Sequence, residues 1–187
     1  MVKVGEAVPD FKMNVYHNDE IKEVKLSDYK GKWVAIVFYP ADFTFVCPTE
    51  LEDLANLYPQ FQTAGAEVIS VSTDTAFVHK AWHDNSPSIG KIQYPMGADP
   101  SAAVSKLFGV YIEHDGLALR GTFIIDPDGV LKTAEIHDLG IGRSAAETLR
   151  KVQAAQFVYE NGDQVCPANW TPGAGTLKPG LDLVGKI

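Results

Sequence analysis

Short apolar runs alternate along this chain with segments whose apolar residues recur at helical spacing. "WVAIVFY" (33–39) is β-branched and aromatic, is bounded by "KGK" and Pro40, and reads as a buried central strand. Beyond it, Leu51, Leu54, Leu57, Tyr58 and Phe61 follow a helical period, which predicts an amphipathic helix over 48–62. "AEVISVST" (66–73) reads as a second buried strand, after which Asp74 or Thr75 can cap a helix through "AFVHKAWHD". A short helix is expected over 101–108, and "GTFIID" and "VLKTAEI" flank "PDG" (127–129) as a hairpin. The longest helix spans 144–162, with Ser144 as cap, Glu147 three residues later and Gly162 near its end.

This order of strands and helices is an α/β layout with a mixed central sheet flanked by helices, and it matches a thioredoxin-like core. Right-handed crossovers leave the ligand crevice at the carboxyl end of the first central strand, just before Cys47. The 187 residues suit one domain: residues 1–162 form the core, and 163–187, rich in Pro and Gly, an extended C-terminal arm belonging to it.

Charge and composition narrow the function. A formal net charge of −8 with dispersed lysines and arginines argues against a nucleic-acid module. The start, "MVKVGEAVPDF", lacks a basic segment followed by an apolar one, and no run is long enough to span a bilayer, so a soluble cytoplasmic protein away from membranes is expected. Metal-ligand spacing is confined to His79 and His83, whose usual reading is a pair of surface histidines on a helix. "GIGR" (140–143) holds half of a dinucleotide fingerprint and reads as a turn before a helix; a P-loop and a G-x-S-x-G elbow are absent.

The candidate chemistry lies in "FYPADFTFVCPTE" (38–50). An ordinary thiol, with pKa about 8.5, is only a few per cent thiolate at neutral pH, and the thiolate is the nucleophile. A helix N-terminus supplies the positive potential that ionises it. Two registers are open: Cys47 as the cap with Pro48 first in the helix, or Thr44 as the cap with Cys47 in the first turn. Only the second brings Thr44 and Cys47 together. The plainer reading, a small buried hydrophobe, fits poorly because Leu51, Leu54 and Tyr58 already fill the helix's apolar face. Arg120, before the "TFIID" strand, can aim an always-charged guanidinium into the crevice, with Glu50 orienting it. Trp82 and Trp170 are packing residues.

Pro40, Thr44 and Cys47 match the pattern P-x-x-x-T-x-x-C, and the segment resembles the active site of typical 2-Cys peroxiredoxins. "VSTDT", "HKAWH", "DPDG", "IGRS", "QVCPANW" and "LDLVGKI" extend the likeness nearly end to end, within the bacterial alkyl hydroperoxide reductase branch of that family. The resemblance implies a peroxidase reducing hydrogen peroxide and alkyl hydroperoxides. Cys47 would be the peroxidatic cysteine and Cys166 the resolving one. Thr44 would bond peroxide and thiolate, Pro40 would exclude water, Arg120 would be the active-site arginine, and Arg143, matching the family's Gly-Arg, would be a cation for the outer part of the site or else an exposed residue at a helix start. It further implies no bound cofactor or metal, an intersubunit Cys47–Cys166 disulfide in a homodimer assembling into a decamer, and electrons from an NADH-dependent flavoprotein disulfide reductase or a thioredoxin.

Two rivals remain. A thioredoxin-type oxidoreductase wants C-x-x-C, but Glu50 stands third after Cys47. A chaperone-like oligomer could use Phe43, Phe45, Phe77 and Val78 as apolar contacts. Members of the resembled family that over-oxidise easily carry a Gly-Gly-Leu-Gly insertion and a C-terminal Tyr-Phe; "HDGLALR" has no double glycine and the tail no Tyr-Phe, so the resemblance implies resistance to over-oxidation, and Leu181, Leu183, Val184 and Ile187 are expected to anchor that tail.

Overall fold

A computed structural model describes residues 1–186. In chain order it contains β1 (Lys12–His17), β2 (Glu20–Lys25), β3 (Trp33–Phe38), α1 (Cys47–Thr63), β4 (Ala66–Ser72), α2 (Ala76–Asn85), β5 (Met96–Ala98), α3 (Ala103–Phe108), β6 (Tyr111–Ile112), β7 (Leu117–Ala118), β8 (Arg120–Ile125), β9 (Leu131–His137) and α4 (Ala145–Glu160). Seven strands form one sheet in the order β2-β1-β5-β4-β3-β8-β9, with β6 and β7 paired separately. β3, β4 and β5 run parallel, whereas β8 and β1 join them antiparallel, so the sheet is mixed as expected.

The all-apolar sequence of β3 follows from its place: it is buried along its whole length, and its two faces serve two cores. Trp33, Ala35 and Val37 point toward Leu51, Leu54 and Phe61 of α1 and Leu149 and Val152 of α4. Val34, Ile36 and Phe38 point the other way, toward Phe108 of α3 and Phe123. Because β3 ends at Phe38 and α1 begins at Cys47, the intervening loop lies at the carboxyl end of the central strand.

Several local expectations need correction. The hairpin β1–β2 was not anticipated, although its strands meet at Asn18-Asp19, both with positive φ (53° and 60°), the conformation a two-residue turn demands. β5 and the β6–β7 pair, at two or three residues each, are too short to leave a periodic signature. Ser144 does cap α4 by accepting the Glu147 N–H (3.3 Å), but the Glu147 carboxylate turns to Arg150, so the reciprocal half of the capping box is not made. Thr75, not Asp74, caps α2. α1 contains Pro59, which deprives the Ala55 carbonyl of its helical donor.

Past α4 the arm has one isolated bridge, Val165 to Leu177, and a short 3-10 turn at Leu181–Leu183. Trp170 fixes it, buried against Phe157 with ring centroids 5.0 Å apart, while Arg150 donates to the Trp170 carbonyl (2.9 Å). Leu181 and Val184 are exposed and so do not anchor the tail within the chain; Leu183 is partly covered, and Ile187 lies outside the described residues.

Candidate active site

Cys47 is the first residue of α1, with Val46 as the cap and Pro48 second. Neither expected register holds, yet the sulfur still lies at the helix's positive end, where Val46 offers no side-chain cap to compete. Thr44 stands in the preceding loop and donates its hydroxyl to the Ala41 carbonyl (2.9 Å) rather than capping the helix. Pro40 is buried at the end of β3, and Cys47 is 0% exposed.

Arg120 starts β8, beside β3 in the sheet, which brings its guanidinium under the first turn of α1. Its Nη1 donates to Cys47 Sγ (3.4 Å) and to Glu50 Oε2 (2.6 Å), and its Nε to the Leu139 carbonyl (2.7 Å). Among the described residues no hydrogen bond uses Nη2. Arg143 is not an exposed helix-start residue. Its backbone N–H and Nε donate to Glu50 Oε1 (both 2.8 Å), its Nη2 to Oε2 (3.1 Å), and its Nη1 to the Gly121 carbonyl (2.9 Å).

Glu50 thus carries two guanidiniums in a nearly dry place. Burial alone would push its carboxyl up, but the hydrogen bonds and charge of Arg143, with the charge of Arg120, outweigh it and hold the group below its usual value. Removing any member would strand a buried charge, so the triad fixes Arg120 firmly against the sulfur.

Cys166 lies elsewhere. Its Sγ faces the Ala154 carbonyl (3.7 Å) in a groove of about 320 Å3 lined by α4, β9 and Val165, and neither cysteine has a sulfur partner. Burial pushes the Cys166 thiol up, with a smaller opposite pull from Arg150.

A second polar cluster escaped the sequence. His79 is not at the surface: it is fully buried, with Nδ1 2.8 Å from Asp42 and Nε2 2.9 Å from the Gly97 carbonyl. Tyr39 donates to the same Asp42 (2.7 Å), and the Asp42 N–H reaches Asp74 (2.9 Å). These bonds pin the turn in which Phe43 adopts φ 55°, uncommon for so bulky a residue, and that turn sets the position of Thr44. The available signal was that Asp42 lies within the cysteine segment and Asp74 just past the end of β4. Trp82 and Trp170 are buried, as packing residues should be, and no metal-holding group of His, Cys, Asp and Glu occurs among the described residues.

The solved structures similar to this chain include the crystal structure of AhpC from Enterococcus faecalis (TM-score 0.86, 49% identity, 89% of this chain and 100% of that one). A reduced 2-Cys peroxiredoxin from Plasmodium vivax also matches (TM-score 0.91, 34% identity, 96% and 94% covered). Fold and site therefore define a peroxiredoxin, built on the thioredoxin-like fold and reducing hydroperoxides with cysteine thiols. More narrowly, residues 4–134 match the model of the AhpC/TSA family, and the chain belongs to that family. Residues 154–184 match the C-terminal domain of 1-Cys peroxiredoxin, a segment that here carries Cys166. Curated relatives named alkyl hydroperoxide reductase C, from Pseudomonas aeruginosa (52% identical) and Amphibacillus xylanus (55%), are covered over 100% of both chains.

Proposed function

We propose that Cys47 is the peroxidatic cysteine and Cys166 the resolving cysteine of this peroxidase. The observation that carries the assignment is the contact of Arg120 Nη1 with Cys47 Sγ at the start of α1, held by the Glu50–Arg143 pair. In the first step the Cys47 thiolate attacks the terminal peroxide oxygen, the O–O bond breaks, and the alkoxide or hydroxide leaves as alcohol or water after taking a proton. Sulfur is oxidised by two electrons to the sulfenic acid. Arg120 stabilises the charge gathering on the departing oxygen, and the Thr44 hydroxyl turns from Ala41 to hold the peroxide. Pro40 closes the crevice to water.

In the second step the Cys166 sulfur attacks Cys47, forming the disulfide and releasing water. A disulfide needs the two Cα atoms within about 7 Å, so the buried Cys47 must leave its pocket as the first turn of α1 unwinds. We assign the attacking Cys166 to the partner of a two-fold dimer. β9 is an open edge of the sheet, and Ile136, Val158, Tyr159 and Val165 leave apolar surface around it for a second copy. We assign the further contacts of a decamer to the active-site rim, where the exposure of Phe43 (58%), Phe45 (92%) and Phe77 (75%) supports that reading. A dithiol donor closes the cycle, either an NADH-dependent flavoprotein disulfide reductase or a thioredoxin, in the cytoplasm. Resistance to over-oxidation belongs to the same reading. Stopped-flow peroxide consumption by the reduced protein tests the assignment: it is expected to be fast and to vanish in Cys47→Ser, whereas survival in that variant overturns it.

A further inference from the structure

α1 offers two carboxylates to the start of α4, one turn apart on one side of the helix: Glu50 and Asp53. Glu50 accepts the Arg143 N–H, and Asp53 Oδ2 accepts the N–H of Ala145, the first residue of α4 (2.9 Å). Ser144 satisfies the Glu147 N–H, so a donor that the helix cannot satisfy internally is served by a different element, with a negative charge where the α4 dipole is positive. Farther along α1, Pro59 leaves the Ala55 carbonyl without its donor, a weak point in the ladder.

We propose that Asp53 is a positioning residue that sets how far α1 unwinds, confining the opening to residues 47–50 and keeping the next turn docked on α4. The inference rests on the reading of Cys47 as the reacting thiol that must leave its pocket. Glu50, in the unwinding turn, releases Arg120 and Arg143 when Cys47 moves out. Asp53, one turn deeper, stays bonded to Ala145. On reduction the turn refolds onto a fixed template, and Glu50 meets Arg143 again without a search. Without Asp53, the tie to α4 is gone and opening can continue toward the break at Pro59, resisted by the burial of Leu51, Leu54 and Tyr58 and by the bonds from Tyr94 to the Leu51 carbonyl and from Tyr58 to Glu67.

Amide hydrogen exchange on the reduced full-length protein tests this without requiring turnover. In the native chain the amides of 51–54, which bond to residues 47–50, should exchange faster than those of 55–58. Asp53→Ala should quicken 55–58 at least tenfold, toward the 51–54 rate, with β3 and β4 unchanged. Asp53→Asn, which keeps an acceptor, should stay within threefold of the native rates, as should Gln60→Ala at an exposed position of the same helix. Ala145→Pro removes the donor at the first helical position, which tolerates proline, and should reproduce Asp53→Ala. Unchanged 55–58 rates in both Asp53→Ala and Ala145→Pro overturn the proposal, and so does an equal acceleration of the central strands. Failure of Cys47→Ser to abolish peroxidase activity would instead overturn the assignment of the reacting thiol, a separate outcome.

Discussion

The two thiols of this chain occupy opposite surroundings. Cys47 is sealed at the start of a 17-residue helix with a guanidinium against its sulfur and two further charges locking that guanidinium. Cys166 sits partly exposed on an arm tied down mainly by Trp170 and Arg150, and burial pushes its thiol up toward the protonated form. A nucleophile is created by the field around the sulfur; a resolving thiol needs reach and access instead. The rigid site suits the first role and the loosely held arm the second.

The contrast breaks most completely at the sulfurs. Cys47→Ser should lose all peroxidase activity, whereas Cys166→Ser should consume one equivalent of peroxide at the native rate and then stop, measured as a stopped-flow burst. With excess peroxide, that second variant should accumulate a sulfinic acid on Cys47 by mass spectrometry, since nothing captures the sulfenic acid. Equal burst rates in the two variants would erase the distinction.

Arg120→Ala removes the field while leaving the thiol. The loss should be about 2–4 kcal/mol of transition-state stabilisation, roughly thirty- to a thousandfold in the second-order rate. The rate of disulfide formation from a preformed sulfenic acid should change far less. A peroxide rate within threefold of native would remove Arg120 from the site. Thr44→Val keeps shape and deletes one hydroxyl, so about a tenfold slower peroxide step is expected with folding preserved, in line with one hydrogen bond.

The smallest effect concerns acid. Because the Glu50 value is held below the ordinary 4.5, the carboxylate contributes stability that is fully present above about that pH and lost as pH falls through the depressed value. Chemical denaturation of native protein and Glu50→Gln should therefore differ most at neutral pH and converge in acid. A gap that widens as pH falls would contradict the triad. Cys166→Ser, remote from Glu50, should show no such convergence.

What could be read from the sequence follows from the range over which each interaction acts. β3, α1 and α4 announced themselves because their patterns are local, and Cys47, Thr44 and Glu50 share one short segment that can be weighed as a unit. Arg120 was singled out by the family resemblance, with its place at a strand start agreeing. Arg143 was left between two readings because its partner is 93 positions away, and the contact exists only once α4 has docked on α1. His79 went wrong for the same reason. Its carboxylate partner lies 37 positions earlier, and helical spacing alone cannot tell a histidine that enters the core from one that faces water. The Asp53–Ala145 bond, spanning 92 positions, had no sequence signature at all.

The most direct test of the central claim is non-reducing electrophoresis with peptide mapping after one equivalent of peroxide, on an equimolar mixture of Cys47→Ser and Cys166→Ser chains exchanged through mild denaturation. The account predicts a disulfide-linked dimer containing one chain of each kind and a single Cys47–Cys166 peptide. Monomers carrying only oxidised Cys47, with no linked dimer from the mixture or from the native protein, would contradict it.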